Sequence, residues 1–479
     1  VEIIVRLNSG ELNDALNKKG FRVDILKKGK LLKSFRSKHT HMFIPMKVFE
    51  YWTPENPVLY DITVTVGEDR VKSYFAMRTI EIKKDKDNIP CIYLNHKLYF
   101  QNGILDQGYW PDGLYTAPSD EAFIYDIKKA KELGFNMIRK HLKIEPLRWY
   151  YHCDRLGMIV WQDMVNGGGH YNTLLVGYLP TFIPAFAGCI KDNHYRLFGR
   201  INEKGRRDWM AECMQTVDLL YNSPSVLVWV LFNEGWGQFD SKRVYDLVQK
   251  KDSSRLIDHA SGWFDQNQGD FHSVHNYFHP LKVKTGKRPV VLSEFGGYAC
   301  YMRDHSYSWQ IYGYRIYLNE KSLDEDFQKL YREEIKKLKE KGLSAAVYTQ
   351  LSDVEDEVNG LLTYDRKVLK VSDEQVKEIK QTIEKNYTHT SKKIIPTARL
   401  KSTNTWKYLS TSEPLKDKKW TQFNFSDNEW SYGNAGFGNG GLQGANINTS
   451  WNTSHIYLRK YISFESLKTR AAPRRPWWH

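Results

Sequence analysis

The segment Ser225-Val-Leu-Val-Trp-Val-Leu-Phe-Asn-Glu234 constrains the fold more than any other stretch. Its apolar run is unbroken until it gives way to Asn233 and Glu234. A run this apolar and this short reads as a strand buried on both faces, as in a parallel sheet covered by helices. Gly235-Trp-Gly237 ends it, so Asn233 and Glu234 stand at the carboxyl end of a core strand. In a (β/α)8 barrel that end is where catalytic groups collect. Pro289-Val-Val-Leu-Ser-Glu294 has the same shape, and Phe295-Gly-Gly297 follows it. The interval between the two leaves room for two more strand–helix units. If both end strands of one barrel, two carboxylates face one cleft, the arrangement that glycoside hydrolysis uses. A lone glutamate at a strand end is more often just solvated. The pair, with Asn before one and Phe-Gly-Gly after the other, favours chemistry.

The neighbouring chain fits an α/β architecture. From about residue 87 to 387, strand and helix signals alternate, which favours a parallel sheet. Lys97–Leu105 supplies the first strand region. Ser119 caps a helix over Glu121–Leu133 that Gly134 ends. Phe135–His141 and Met158–Met164 are the second and third strands, with a helix opened by Pro146 between them. Residues 165 to about 200 form a long Gly- and aromatic-rich insertion, and loops of that length are usually functional or disordered. A helix over Arg207–Tyr221 leads into the Glu234 strand. Ser241–Lys251 is helical, Leu256–Ala260 and Phe271–Tyr277 are strands, Leu323–Lys341 is helical and Leu343–Gln350 is the last strand. Ser372–Lys385 closes the series. Residues 1–86 read as a small β domain, 388–400 as a polar linker, 401–468 as a Trp-, Asn- and Gly-rich β segment, and 469–479 as a disordered or non-native tail.

Asn-Glu after an apolar strand, followed by Ser-Glu-Phe-Gly three strands later, resembles glycoside hydrolase family 2, which includes β-galactosidases, β-mannosidases and β-glucuronidases. The resemblance implies a TIM barrel over 87–387, with the acid/base on the fourth strand and the nucleophile on the seventh. It makes Glu234 the acid/base, Asn233 the holder of the sugar 2-hydroxyl and Glu294 the nucleophile. The same analogy puts Arg139 near the nucleophile and makes Tyr277, in His275-Asn-Tyr277, its hydrogen-bond partner. Trp161-Gln-Asp163 is similar to β-mannosidases. His141, Trp263 and Gln350, and Asp106 after the first strand, complete the expected sugar pocket. Trp52-Thr-Pro-Glu-Asn-Pro-Val-Leu-Tyr60 resembles the immunoglobulin-like sandwich ahead of the family's barrel, its aromatics plugging a sandwich core. Residues 401–468 resemble part of a galactose-binding-like jelly roll. The implied reaction is double displacement with retention: Glu294 attacks the anomeric carbon while Glu234, its pKa raised, protonates the leaving oxygen. A β-galactosidase is the first expectation, with β-mannosidase or β-glucuronidase as alternatives. A non-catalytic carbohydrate-binding protein is the reading from another class.

Composition excludes other classes. The formal charge is +14, yet the basic residues are scattered among acids, and no nucleic-acid-binding signature is present. A carbohydrate is therefore the expected partner, not nucleic acid or membrane, and a homo-oligomer stays open. Five cysteines, widely spaced, favour free thiols over a disulfide framework. No run approaches transmembrane length. Neither a basic start nor an apolar leader core is visible, and the chain begins with Val1, so the compartment stays open, with a periplasmic or secreted placement preferred to a cytoplasmic one. His272, His275 and His279 raise the question of a metal. Alternation puts His272 and His275 on opposite strand faces, so neither a metal nor a cofactor is expected.

Overall fold

The computed structural model describes residues 1–5, 16, 20–172, 174–182, 187–278, 280–282, 284–384, 405–415, 420, 425–434, 437–438, 449–459 and 464–465. The expected linker, the tail and His279 lie outside them. The chain divides into two compact units, one of residues 1–49, 60–75 and 395–479, the other of 50–59 and 76–394.

The larger unit is a TIM barrel. Its strands are β1 (Gln101–Asp106), β2 (Met137–Lys140), β3 (Ile159–Asp163), β4 (Val226–Val230), β5 (Leu256–Asp258), β6 (His272–Asn276), β7 (Val290–Gly296) and β8 (Leu343–Thr349). They form one sheet in the order β5-β4-β3-β2-β1-β8-β7-β6, parallel throughout. The β1–β8 ladder bends the sheet round. Among the described residues no ladder joins β5 to β6, so the barrel is nearly closed.

Helices α1 (Asp120–Glu132), α2 (Leu147–Leu156), α3 (Glu203–Leu220), α4 (Ser241–Lys251) and α5 (Glu320–Lys329) lie in the crossovers, and α6 (Asp373–Glu384) follows β8. A π-helical turn, Leu330–Ile335, extends α5 into Lys336–Glu340. The β5–β6 and β6–β7 connections carry no helix among the described residues. Ser119 caps α1, as expected, accepting from the Ala122 N–H. All of β4 is buried, because one face of it fills the barrel and the other meets the helices.

Three local readings change. The Lys97–Leu105 region is two strands: Lys97–Leu98 pairs antiparallel with Pro90–Leu94, and β1 starts only at Gln101. The ladder of the key strand stops at Val230, and residues 231–234 continue by single bonds, Leu231 N–H to Asp258 O and Ser261 N–H to Phe232 O, each 2.8 Å. Trp52 does not plug a sandwich. It is fully buried in the barrel unit, where its indole N–H donates to Asp154 O at 2.7 Å, because a buried indole must find an acceptor.

The smaller unit is mainly β among its described residues. Its four-stranded antiparallel sheet takes Lys30–Ser37, Phe21–Lys27, Tyr60–Val66 and Asp69–Phe75 in that order. Glu2–Val5 pairs with both His41–Phe43 and Phe464–Glu465, so the two chain ends share a sheet.

Candidate active site

The site lies at the carboxyl ends of the barrel strands and starts with a backbone irregularity. Against β8, Leu292 pairs with Ala346 and Phe295 with Tyr348, so one extra residue of β7 is accommodated between them. Against β6 the register also slips, and His275 comes opposite Glu294. A bulge re-aims a side chain at a sheet end. Here Ser293 and Glu294 break the alternation: Ser293 bonds to Ser273 at 2.6 Å in the barrel interior, while Glu294 joins the cleft. Glu234 has its own irregularity, a φ of 53°, and its N–H donates to Ser261 O at 2.9 Å. A side-chain-bearing residue in that region costs about 1–3 kcal/mol, and such strain concentrates at functional sites.

The two carboxylates share neighbours. The Tyr277 hydroxyl lies 2.7 Å from Glu294 Oε2 and 3.2 Å from Glu234 Oε1. His275 Nδ1 is 2.8 Å from Glu234 Oε1, and its Nε2 is 3.0 Å from Ser261 Oγ and 3.6 Å from Glu294 Oε1. The Trp236 indole donates to Glu234 Oε2 at 3.2 Å. One oxygen of each glutamate and a nitrogen of His275 all lie within 4.8 Å of one another. These three are also the only described group that could converge on a cation, and each is already engaged with the protein.

Arg139, fully buried, organises the floor. It forks onto Asp163 (Nε–Oδ1 2.9 Å, Nη2–Oδ2 3.0 Å), and its Nη1 donates to Glu294 Oε1 at 3.1 Å and to Ser293 O at 3.0 Å. Nη2 also donates to Asn233 Oδ1 at 2.8 Å, which leaves the Asn233 amide nitrogen for a ligand. His141 Nδ1 sits 2.8 Å from Asp163 Oδ2. Burial acts against the charge on Arg139, but Asp163 and Glu294 raise its pKa. Asp163 is held below the usual carboxylate range: burial pushes it up, and Arg139 and His141 outweigh that. Burial would lower His141 as well, and the bond to Asp163 raises it instead.

The expectation of a raised pKa at Glu234 is corrected. Burial does push it up, but the hydrogen bond and charge of His275 bring it below its ordinary value. Burial beside the two glutamates drives the Tyr277 phenol far above its ordinary range, so it stays a donor.

The structure brings Asn233, Arg139, His141, His275 and Tyr277 together around Glu234 and Glu294. Trp263 packs against His275 with its ring centroid 5.8 Å away. Gln350 reaches the cleft through another residue: its Nε2 donates to Glu357 Oε2 at 2.8 Å. Three expected sugar contacts are corrected. Trp161 lies a layer below Asp163 on the same strand face, fully buried, bonded to Gln101 at 2.6 Å and stacked on Phe271. Asp163 is fully buried and gives both oxygens to Arg139 and His141, so it positions them. Asp106 falls on the outer face of β1. The register pairs Leu105 with Arg139 and Asp106 with Lys140, and Asp106 accepts from the Lys140 ammonium at 2.5 Å, away from the cleft.

Sequence reasoning missed Tyr314, stacked on Tyr277 at 3.5 Å, and it missed Trp236 and Ser261. It also missed Glu357 and Gln107, whose Nε2 donates to Glu357 Oε2 at 2.9 Å. The acidic run Asp353-Val-Glu-Asp-Glu357 just past β8, on the active face, was the available signal.

Residues 91–387 match the family model described as glycosyl hydrolases family 2, TIM barrel domain. The β-galactosidase of Lactococcus lactis subsp. lactis is 28% identical over 222 residues, covering 46% of this chain and 20% of that protein. The β-galactosidase of Priestia megaterium is 23% identical over 273 residues, covering 54% and 24%. The matched segment thus spans about a fifth to a quarter of these relatives. Among solved structures, the β-galacturonidase of Eisenbergiella tayi bound to galacturonate aligns with a TM-score of 0.54 at 16% identity, over 77% of this chain and 67% of that one. The β-D-glucuronidase for Dictyoglomus thermophilum aligns at 0.55 and 14%, over 76% and 64%. At such identities the likeness carries the fold.

Proposed function

This chain belongs to glycosyl hydrolase family 2, and from that premise we propose that it is a retaining β-glycosidase acting on terminal β-linked sugars, a β-galactoside first among them. One observation carries the reading: an oxygen of Glu234, just past β4, and one of Glu294, in β7, lie within 4.8 Å of each other. Retaining enzymes hold their carboxyl groups about 5–5.5 Å apart, whereas inverting ones need about 6.5–9.5 Å to admit a water. The β-galactosidase relatives support the choice of sugar.

Glu294, fixed by Arg139 and Tyr277, attacks the anomeric carbon. The leaving oxygen takes its proton from Glu234. Glu234 Oε1 lies 2.8 Å from His275 Nδ1; burial pushes its carboxyl pKa up, and the hydrogen bond and charge of that ring outweigh this and draw it down. After the aglycone departs, Glu234 accepts a proton from water, which hydrolyses the glycosyl ester of Glu294. Asn233, its carbonyl held by Arg139, offers its amide N–H to the 2-hydroxyl. The flanking β segments we read as an immunoglobulin-like sandwich before the barrel and a jelly-roll-like piece after it.

The test is hydrolysis of nitrophenyl β-galactoside, β-mannoside, β-glucoside and β-glucuronide, with the anomer released followed by NMR. One sugar cleaved with retention, and a loss of at least ~10⁴-fold in Glu294→Gln, is expected for removal of a covalent nucleophile. Release of the inverted anomer, or full activity in the variant, would refute it.

A further inference from the structure

The cleft contains a third carboxylate that the double displacement does not use. Glu357 lies in the loop after β8. It accepts from Gln107, just past β1, and from Gln350, at the end of β8, at 2.9 and 2.8 Å. Both bonds fall on Oε2. Gln350 is itself fully buried and fixed by a second bond, to Asn359 Oδ1 at 2.8 Å. Two amide side chains from opposite edges of the β8–β1 seam therefore clamp one carboxylate oxygen and leave Oε1 for something else. The clamp adjoins the reacting groups: Glu357 forms a backbone bridge with Tyr312, whose ring lies 6.3 Å from Tyr314, and Tyr314 stacks on Tyr277, the partner of both glutamates. Burial pushes the Glu357 carboxyl above its ordinary value, and the Gln350 and Gln107 amides act against that. A carboxylate held rigidly by neutral donors, with one oxygen unclaimed, is an acceptor for hydroxyl groups.

The charges around it exclude one class of sugar. The acids grouped around the reacting centre include Glu234, Glu294 and Glu357, beside the imidazoles of His141 and His275; Asp265, which also lines the cleft, is paired with Arg288. The Arg139 guanidinium is fully buried and saturated by Asp163, Asn233, Ser293 and Glu294. Lys140 and Lys143 are spent on Asp106, Glu145 and Gly108 O. None of these three described cations is left free to receive a carboxylate.

We infer that Glu357 is a specificity-determining residue that binds hydroxyls of a neutral hexose beside Glu294 and rejects hexuronic acids. The inference rests on the glycosidase reading above and narrows its substrate class to uncharged glycosides. A sugar bearing a carboxylate at C-6 would bring a further negative charge toward Glu294 and Glu357, and like charges opposed across a binding surface are strongly disfavoured. A hydroxyl, by contrast, completes the coordination of Oε1.

Wild type, Glu357→Gln and Glu357→Asp are assayed with nitrophenyl β-galactoside, β-glucoside, β-galacturonide and β-glucuronide. Binding of galactose and galacturonate is titrated in parallel by tryptophan fluorescence. Wild type should favour the neutral sugars by at least ~100-fold in kcat/KM. Glu357→Gln should lose ~10–100-fold on neutral sugars and narrow the preference at least tenfold, because an amide is a weaker acceptor and carries no charge. Glu357→Asp keeps the charge but withdraws it, so it should lose activity on neutral sugars and still refuse uronides. A preference that survives Glu357→Gln unchanged, or a wild type that favours uronides, overturns the assignment. If wild type cleaves none of the four, the glycosidase reading fails by itself. The titration then decides on Glu357: galactose binding abolished in Glu357→Gln sustains the assignment, and unchanged binding overturns it.

Discussion

Replacing Tyr277 with phenylalanine removes one oxygen from the centre of the site, and the geometry says which half-reaction should suffer. The phenol has one proton and two carboxylates in reach, and the shorter contact, 2.7 Å against 3.2 Å, gives it to Glu294. During glycosylation Glu294 loses its negative charge as the ester forms, so this bond weakens toward the transition state. In deglycosylation the charge returns as the ester carbon–oxygen bond breaks, and the donor stabilises the departing carboxylate. A hydrogen bond to a charged group is worth about 1.5–3 kcal/mol, or roughly 10- to 150-fold in rate. With a dinitrophenyl glycoside of the preferred sugar, Tyr277→Phe should therefore show kcat down by that factor. KM should fall with it as the glycosyl-enzyme accumulates, and a burst of dinitrophenolate should equal the enzyme concentration. The fold should hold, since the ring keeps its stack on Tyr314, 3.5 Å away and 4° from parallel. A kcat within threefold of wild type would refute the reasoning. So would a loss carried by raised KM with no burst, which would place the phenol in ground-state binding.

Two further outcomes test the floor and the barrel wall. Arg139→Ala leaves Asp163 with no exposed surface and only His141 as a partner, at a cost of about 3–5 kcal/mol. The melting temperature should drop by roughly 10 °C, and an unchanged melt would contradict the ion-pair account. Asp252 links α4 to β5. Burial pushes its carboxyl up, but Arg255 at 2.7 Å and Ser254 hold it down to about 2, and Trp229 Nε1 bonds the same group at 3.0 Å. A depressed carboxylate adds stability that is complete above about pH 4 and is lost as pH falls through about 2; here the amount is about 2 kcal/mol. Urea denaturation at pH 5 and pH 3 should show about half of that loss, ~1 kcal/mol, in wild type and not in Asp252→Asn; equal steps in both would sink it.

What the sequence alone determined is local. A strand buried on both faces must be a continuous apolar run, and its end must show as an abrupt change to polar residues, so β4, β7 and the placement of Asn233, Glu234 and Glu294 were legible from residue order. Helix caps such as Ser119 were legible for the same reason, because a cap bonds only three residues on. Tertiary structure decided which polar residues meet. Tyr277 and Glu294 are 17 positions apart, Arg139 and Glu294 155, and Gln107 and Glu357 250, and no periodicity spans such intervals. It also decided the face each residue takes. Asp106 and Trp161 have the right chemistry for a sugar site, but strand register turned one outward and the barrel's layering sank the other. The proton balance of Glu234 belongs here too: burial raises it and His275 lowers it, and which wins depends on a ring 2.8 Å away that arrives from another strand.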